Sequence, residues 1–370
     1  MSLSWVEISR DNLRHNLAQF KKIAPQAEIW PVIKSNAYGH GLEEVTEILD
    51  KDPHATGFLV ANLSEAQVIE KITSKPIMVL SFFDRADNFL RTMDASRISL
   101  PIYDLSTAAY LNKISQELNK TFLVNIKIDT GTSRLGFRAE ESDDAIKNIQ
   151  SLPGLQIHSV FTHLAESEAE DQSFTQEQLR VLLNIKKNWP DFKYHAACSA
   201  AALSDPNNHL DIVRLGISLY GLWPSPAAAV RGQKLGLDLR PVLSWKSKII
   251  QIKSIKKGET VGYNRTFRLP QDSRIAVLPV GYYDGYDRGL SNKGRVLIKG
   301  HLCPLRGNIC MNLIMAELPA DCSAQLGDAA ILLGREGDLM ISAEDVADQA
   351  VTINYEIVSR INPVLKREVI

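Results

Sequence analysis

An apolar run that ends in a lysine is the first feature able to do chemistry. Ile29-Trp30-Pro31-Val32-Ile33 stops at Lys34-Ser35-Asn36-Ala37-Tyr38-Gly39-His40-Gly41, and Leu42, Val45, Ile48 and Leu49 follow at helical spacing. The run is short and rich in Val and Ile, as in a strand buried on both faces. Lys34 therefore stands where a buried strand meets the surface. An amine partly withdrawn from water loses proton affinity, and so becomes a nucleophile and a proton carrier. Other apolar runs end in polar residues too: Lys127 through Asp129 and Gly131, then His163, then Cys198-Ser199, then Arg214-Leu215-Gly216. Cations, an imidazole and a hydroxyl gathered in one pocket suit an anionic ligand and proton transfer. Gly216-Ile217-Ser218 offers backbone N–H groups of the kind that hold a phosphate, with the Ser199 and Tyr38 hydroxyls as further donors.

Those ends meet only if the runs that precede them are strands of one closed sheet. Apolar stretches recur at 29–33, 57–60, 76–80, 97–100, 122–127, 157–162, 193–197 and 212–215. Segments 63–72, 104–117, 141–150 and 171–186 carry helical spacing between them, and Leu13, Leu17 and Phe20 after Ser9 place a further helix before the first run. Strands alternating with helices in this number predict an α/β fold whose N-terminal part is a (β/α)8 TIM barrel. No GxGxxG follows Ile33, where a doubly wound sheet would carry its phosphate turn. Beyond about residue 235 the pattern changes to strands at 242–255, 274–280, 295–298, 308–317 and 329–333, with one clear helix opening at Ser342. The expected domains are a barrel over 1–235 and a mainly β C-terminal domain over 236–370.

With 370 residues the chain can bury sizeable cores without disulfides or metal. Forty-two basic residues balance 43 acidic ones, which gives no reason to expect nucleic acid or an anionic membrane as partner. No apolar run approaches the roughly 20 residues that span a bilayer, and a cytoplasmic, small-molecule enzyme is expected. Cys198, Cys303, Cys310 and Cys322 show no metal-ligand spacing and are expected to be reduced thiols.

The segment from Lys34 to Gly41 resembles the cofactor-binding segment of the alanine racemase family, and further motifs match in order from Trp5-Val6-Glu7-Ile8 to Asn354-Tyr355-Glu356. The resemblance implies pyridoxal 5'-phosphate (PLP) held by Lys34, its phosphate bound by Tyr38, Ser199, Gly216, Ile217 and Tyr355, and its ring nitrogen faced by Arg214. It implies a two-base racemisation of L- and D-alanine for peptidoglycan. Lys34 would be one base and Tyr263, in Val261-Gly262-Tyr263-Asn264-Arg265-Thr266-Phe267, the other, served by a chain through His163 to Arg214. Arg134 matches the arginine directed at cofactor and substrate carboxylate. Lys127 matches a lysine that many members carry as the carbamate. Tyr282 and Met311 match segments that close the pocket from the partner subunit of a homodimer with shared sites. Two departures stand out: Cys198 replaces an asparagine usual before the serine, and Asn312 replaces an aspartate. A broader-specificity racemase of the same fold, a decarboxylase with the same layout and a non-catalytic PLP-binding protein are the competing readings.

Overall fold

The computed structural model describes residues 3–370. Its chain divides into two compact units, one made of residues 11–35 and 45–240, the other of the segment up to Arg10, residues 36–44 and residues 241–370.

The first unit is the expected barrel. Its eight strands are Glu28–Pro31, Phe58–Val60, Ile77–Val79, Ile98–Ile102, Phe122–Asp129, Leu155–Phe161, Lys193–His195 and Ile212–Leu215. Six of them, from Phe58–Val60 to Lys193–His195, pair in parallel in chain order. The ring closes because Glu28–Pro31 pairs in parallel with Ile212–Leu215, Val32 bridges Leu59, and Asp211 and Arg214 donate N–H groups to the Tyr194 and Ala197 carbonyls at 3.0 Å. Helices cover the outside, so strands such as Ile98–Ile102 are buried along their whole length. Short polar side chains start those helices: Asn62 Oδ1 accepts the Glu65 N–H, and Asp104 Oδ1 accepts that of Thr107.

The second unit is mainly β. One sheet runs in the order His301–Pro304, Arg295–Ile298, Ala329–Glu336, Leu243–Lys248, Ser4–Ile8, Lys366–Val369, and another in the order Gln251–Ile255, Ser273–Leu278, Ile314–Leu318. Three expectations need correction. The stretch 242–255 is two strands in different sheets, because the ladder changes partners at its middle: Ile249 N–H bonds the Asp328 carbonyl, whereas Ile250 N–H bonds that of Val277. The stretch 308–317 is strand only from Ile314, since the Cys310 and Met311 carbonyls are taken by the Tyr282 and Tyr283 N–H groups of a loop. A second helix, Asn354–Ser359, follows the expected one at Ala343–Ala350. Among the described residues no helix is long and apolar enough to cross a membrane.

The exit from the first barrel strand is unusual. Ser35, Asn36, Ala37 and Tyr38 have φ between 51° and 56°, a left-handed turn free of glycine until Gly39 at 85°. Such a conformation costs about 1–2 kcal/mol per residue, so its surroundings must hold it. In the second unit, Asn36 Oδ1 accepts the Leu42 N–H at 2.9 Å, and Arg367 donates to the Gly39 carbonyl at 2.9 Å. Gly39 itself packs so closely that a Cβ there would lie 1.9 Å from the Val358 carbonyl oxygen. The substitution Gly39→Ala is expected to lower unfolding free energy by about 2 kcal/mol or more, combining a disallowed φ with a backbone clash; a denaturation midpoint equal to that of wild type would show that the turn relaxes freely.

Candidate active site

Five basic side chains converge at the C-terminal ends of the barrel strands: His163 feels the charges of Lys34, Lys127, Arg134 and Arg214, and both lysines feel those of Arg134 and Arg214. Arg214, on the last strand, is the best anchored. Its guanidinium donates to His195 Nδ1 at 2.7 Å, to the Ala196 and Thr162 carbonyls at 2.8 and 2.9 Å, and to His163 Nδ1 at 3.3 Å. Burial lowers its pKa to about 10, which leaves it a full cation at neutral pH. Since Arg214 only donates, both imidazoles must accept at Nδ1 and carry their proton on Nε2. His195 Nε2 then donates to Ser159 Oγ at 3.0 Å, and Ser159 passes the direction on to Asn125 Oδ1 at 2.7 Å. Burial, reinforced by Arg214, holds His195 well below the ordinary histidine range, and burial with the surrounding cations takes His163 down to about 3. Both rings are neutral at physiological pH.

Phe161 forms an aromatic floor beneath these groups. His195 stacks on its ring at 4.9 Å, and Lys127 Nζ and Arg214 Cζ lie 5.7 and 5.8 Å from its centroid. Burial is the largest influence on both lysines. For Lys34 it is joined by Arg134 and Arg214, with Glu65 opposing; for Lys127 it is joined by Arg134 and Arg214 and lowers the pKa to about 8.

Arg134 is exposed, and its loop is ordered by Asp129. The carboxylate accepts the N–H groups of Gly131, Thr132, Ser133 and Arg134 at 3.0, 2.8, 3.2 and 2.9 Å. Burial alone would raise the Asp129 pKa, but these four donors hold it below the usual carboxylate range. Beyond the last strand, the buried Ser199 Oγ accepts the Gly216 N–H at 3.0 Å and the Ser218 N–H at 3.4 Å, so its own O–H is left to donate. Ile217 begins the 3₁₀ turn Ile217–Tyr220, and Tyr220 Oη donates to the Val32 carbonyl, two residues before Lys34. Ser218 Oγ is buried without a hydrogen-bond partner. A cradle of hydroxyls at strand ends, beside a cluster of cations, fits an anionic cofactor bearing a phosphate. Cys198, one of the two departures, places Sγ 3.2 Å from Ser167 Oγ.

The remaining candidates lie in the second unit. The Tyr38 and Tyr355 rings are 6.2 Å apart. Tyr282 and Met311 share the pair of loops joined by the Tyr282 N–H to Cys310 carbonyl bond of 3.1 Å, where Gly281 leaves no room for a Cβ. Tyr263 is 71% exposed on a 3₁₀ turn whose carbonyl takes the Asn308 amide at 3.2 Å. His195, Phe161, Asp129 as a loop organiser, and Glu65 were not singled out from sequence. The first two look like ordinary strand residues. Asp129 lies in a segment already marked, and an acid followed by Thr-Gly-Thr is a readable turn signal.

Family models describing the alanine racemase N-terminal and C-terminal domains match residues 8–224 and 242–369. The chain belongs to the alanine racemase family. The alanine racemase of Carboxydothermus hydrogenoformans is 37% identical over 97% of this chain and 97% of its own length, and that of Clostridium tetani is 36% identical over 97% and 93%. Among solved structures, alanine racemase from Clostridium difficile 630 superposes with a TM-score of 0.92 at 32% identity, covering 100% of this chain and 96% of that one. A family member thus places its basic cluster at the barrel mouth, with Asp129 arranging the loop that carries Arg134.

Replacing Asp129 by Asn keeps the shape but turns an N–H donor toward one of the four backbone N–H groups. We expect a loss of about 1 kcal/mol at neutral pH, allowing for solvent screening of a half-buried carboxylate. The folded pKa lies below the unfolded one, so this stabilisation is complete above about pH 4 and is lost as pH falls further. Denaturation midpoints of the two proteins should therefore converge in acid; a constant gap would assign the effect to packing.

Proposed function

We propose that the chain is a PLP-dependent alanine racemase that uses Lys34 and Tyr263 as its two bases, acts as a homodimer with shared sites, and supplies D-alanine for peptidoglycan in the cytoplasm. The observation that carries this reading is the convergence of Lys34 with Lys127, Arg134, His163 and Arg214, in a chain of this family. Lys34 would hold the cofactor, Tyr38, Ser199, Gly216, Ile217 and Tyr355 its phosphate, and Arg214 its ring nitrogen. When bound, pyridoxal phosphate supplies an electron sink for the pair left behind as the α-proton departs. Arg214 shapes the outcome, because a guanidinium that keeps its proton hydrogen-bonds a ring nitrogen without protonating it. In that role Arg214 would keep the sink weak, which would favour return of a proton to the same carbon over transamination or decarboxylation.

Racemisation requires proton removal on one face of the α-carbon and delivery on the other. Lys34 Nζ, its proton affinity lowered by burial, Arg134 and Arg214, suits one face. The Tyr263 hydroxyl suits the other, coming from the partner subunit, with neutral His163 held by Arg214 as its proton relay. The high exposure of Tyr263, Tyr282 and Met311 supports a partner surface there. Arg134 provides a fork for the substrate carboxylate. Lys127, brought to about 8 chiefly by burial, has an accessible neutral amine, the form that takes up carbon dioxide to give a carbamate anion beside Arg134.

Lys34→Ala should abolish both the visible absorption of lysine-bound cofactor and the decay of L-alanine optical rotation, because one amine serves both roles; turnover near wild type in that variant would sink the reading. Sharing is tested by mixing. A Lys34→Ala chain paired with a Tyr263→Phe chain has one site with both defects and one intact site. Random reassortment of equal amounts makes about half the dimers mixed, so activity should recover to about a quarter of wild type. No recovery after reversible dissociation would place both residues in one chain's site.

A further inference from the structure

Glu65 lies just beyond the second barrel strand, Phe58–Val60, in the helix Leu63–Ile69, yet its side chain serves the exit of the first. Its Oε1 accepts the Ser35 N–H at 2.5 Å and its Oε2 accepts the Ala61 N–H at 2.8 Å. One carboxylate therefore ties together the ends of two adjacent strands, which are themselves joined by the Val32 to Leu59 bridge. The tie falls where the backbone turns left-handed, at Ser35 with φ of 56°. A charge-assisted bond from an anchored carboxylate suits that N–H, because it adds both strength and direction.

The same carboxylate acts on Lys34 against the surrounding cations. Arg134 and Arg214 oppose a proton on its amine, Lys127 and His163 face it as part of the same cluster, and Glu65 alone among these favours the ammonium form. An amine that must both remove and deliver a proton needs each form within reach. Burial and cations supply the neutral form, and an anion must supply the other.

We propose that Glu65 is a positioning residue for the reaction: its carboxylate fixes the left-handed turn that presents Lys34 and provides the negative charge that lets Nζ hold a proton between transfers. This rests on the reading of Lys34 as the proton-moving amine. Glutamine at this position is isosteric but offers a single acceptor and no charge, so one of the two backbone N–H groups loses its partner. Aspartate keeps the charge but is one methylene short of spanning both.

The test is competitive labelling of Lys34 with acetic anhydride across pH in the full chain freed of cofactor, read by mass spectrometry on the peptide containing Lys34. Glu65→Gln should move the labelling midpoint to lower pH, because the ammonium form loses its counter-charge, whereas Glu65→Asp should stay near wild type. Glu65→Gln in the loaded enzyme should lose about tenfold in kcat with a smaller change in KM. An unmoved Gln midpoint, or an Asp midpoint that falls as far as that of Gln, overturns the electrostatic role. Should Glu65→Gln fail to fold, Glu65→Asp decides by hydrogen exchange: the Ser35 amide should exchange about tenfold faster than in wild type, and unchanged protection overturns the proposal. Labelling needs no cofactor, so it judges Glu65 alone. A wild-type chain that took up no pyridoxal phosphate would instead bring down the parent reading.

Discussion

Four consecutive left-handed residues without a glycine, Ser35 to Tyr38, are the constraint on which the lysine site depends. At about 1–2 kcal/mol each, they would unwind to the right-handed form if the protein did not oppose it. In the barrel unit Glu65 takes the Ser35 N–H; in the β-rich unit Asn36, Gly39 and Arg367 fix the turn's later residues. Lys34 is thus presented by a backbone that has no cheap alternative conformation. A side chain with four rotatable bonds gains its accuracy from such a base.

An excess of positive charge is the second constraint on the site. Arg214 spends its donors on carbonyls and neutral imidazoles, not on carboxylates, and Asp129 is occupied by backbone N–H groups. Positive charge therefore remains available to a ligand. Keeping cations close together costs stability, which the hydrogen bonds of Arg214 and the ring of Phe161 partly offset. The low proton affinities of His163 and Lys127 come first from burial, and the neighbouring cations lower them further.

Much of this is legible in the amino-acid sequence alone. Eight apolar runs marked eight strands because parallel strands buried on both faces have no polar alternation to hide. Lys34, Lys127, His163, Ser199 and Arg214 were visible because each breaks an apolar run at its end. What escaped depends on partners distant in sequence. His195 is one more residue in a strand until Arg214, Phe161 and Ser159 surround it. Glu65 looks like an ordinary first-turn helix acid. The strand Ser4–Ile8 shows itself only through its neighbours, and the break within 242–255 reflects a change of ladder partner at Ile249 and Ile250 that no local propensity encodes. The left-handed turn was hidden for the opposite reason, since Ser-Asn-Ala-Tyr lacks the glycine that normally announces it.

The strand Ser4–Ile8 also carries a consequence in time. It pairs antiparallel with Leu243–Lys248 on one side and parallel with Lys366–Val369 on the other. During synthesis, residues 11–240 leave the ribosome with every strand of the barrel already present, while residues 4–8 have neither neighbour. One edge of the strand stays open until residues 366–369 have been made, and among the described strand pairs that ladder has the largest sequence separation. Contacts of that range form slowly, and unpaired edges invite mispairing. The β-rich unit is therefore the part whose folding waits on translation, because its closure by Lys366–Val369 can only follow synthesis of the whole barrel.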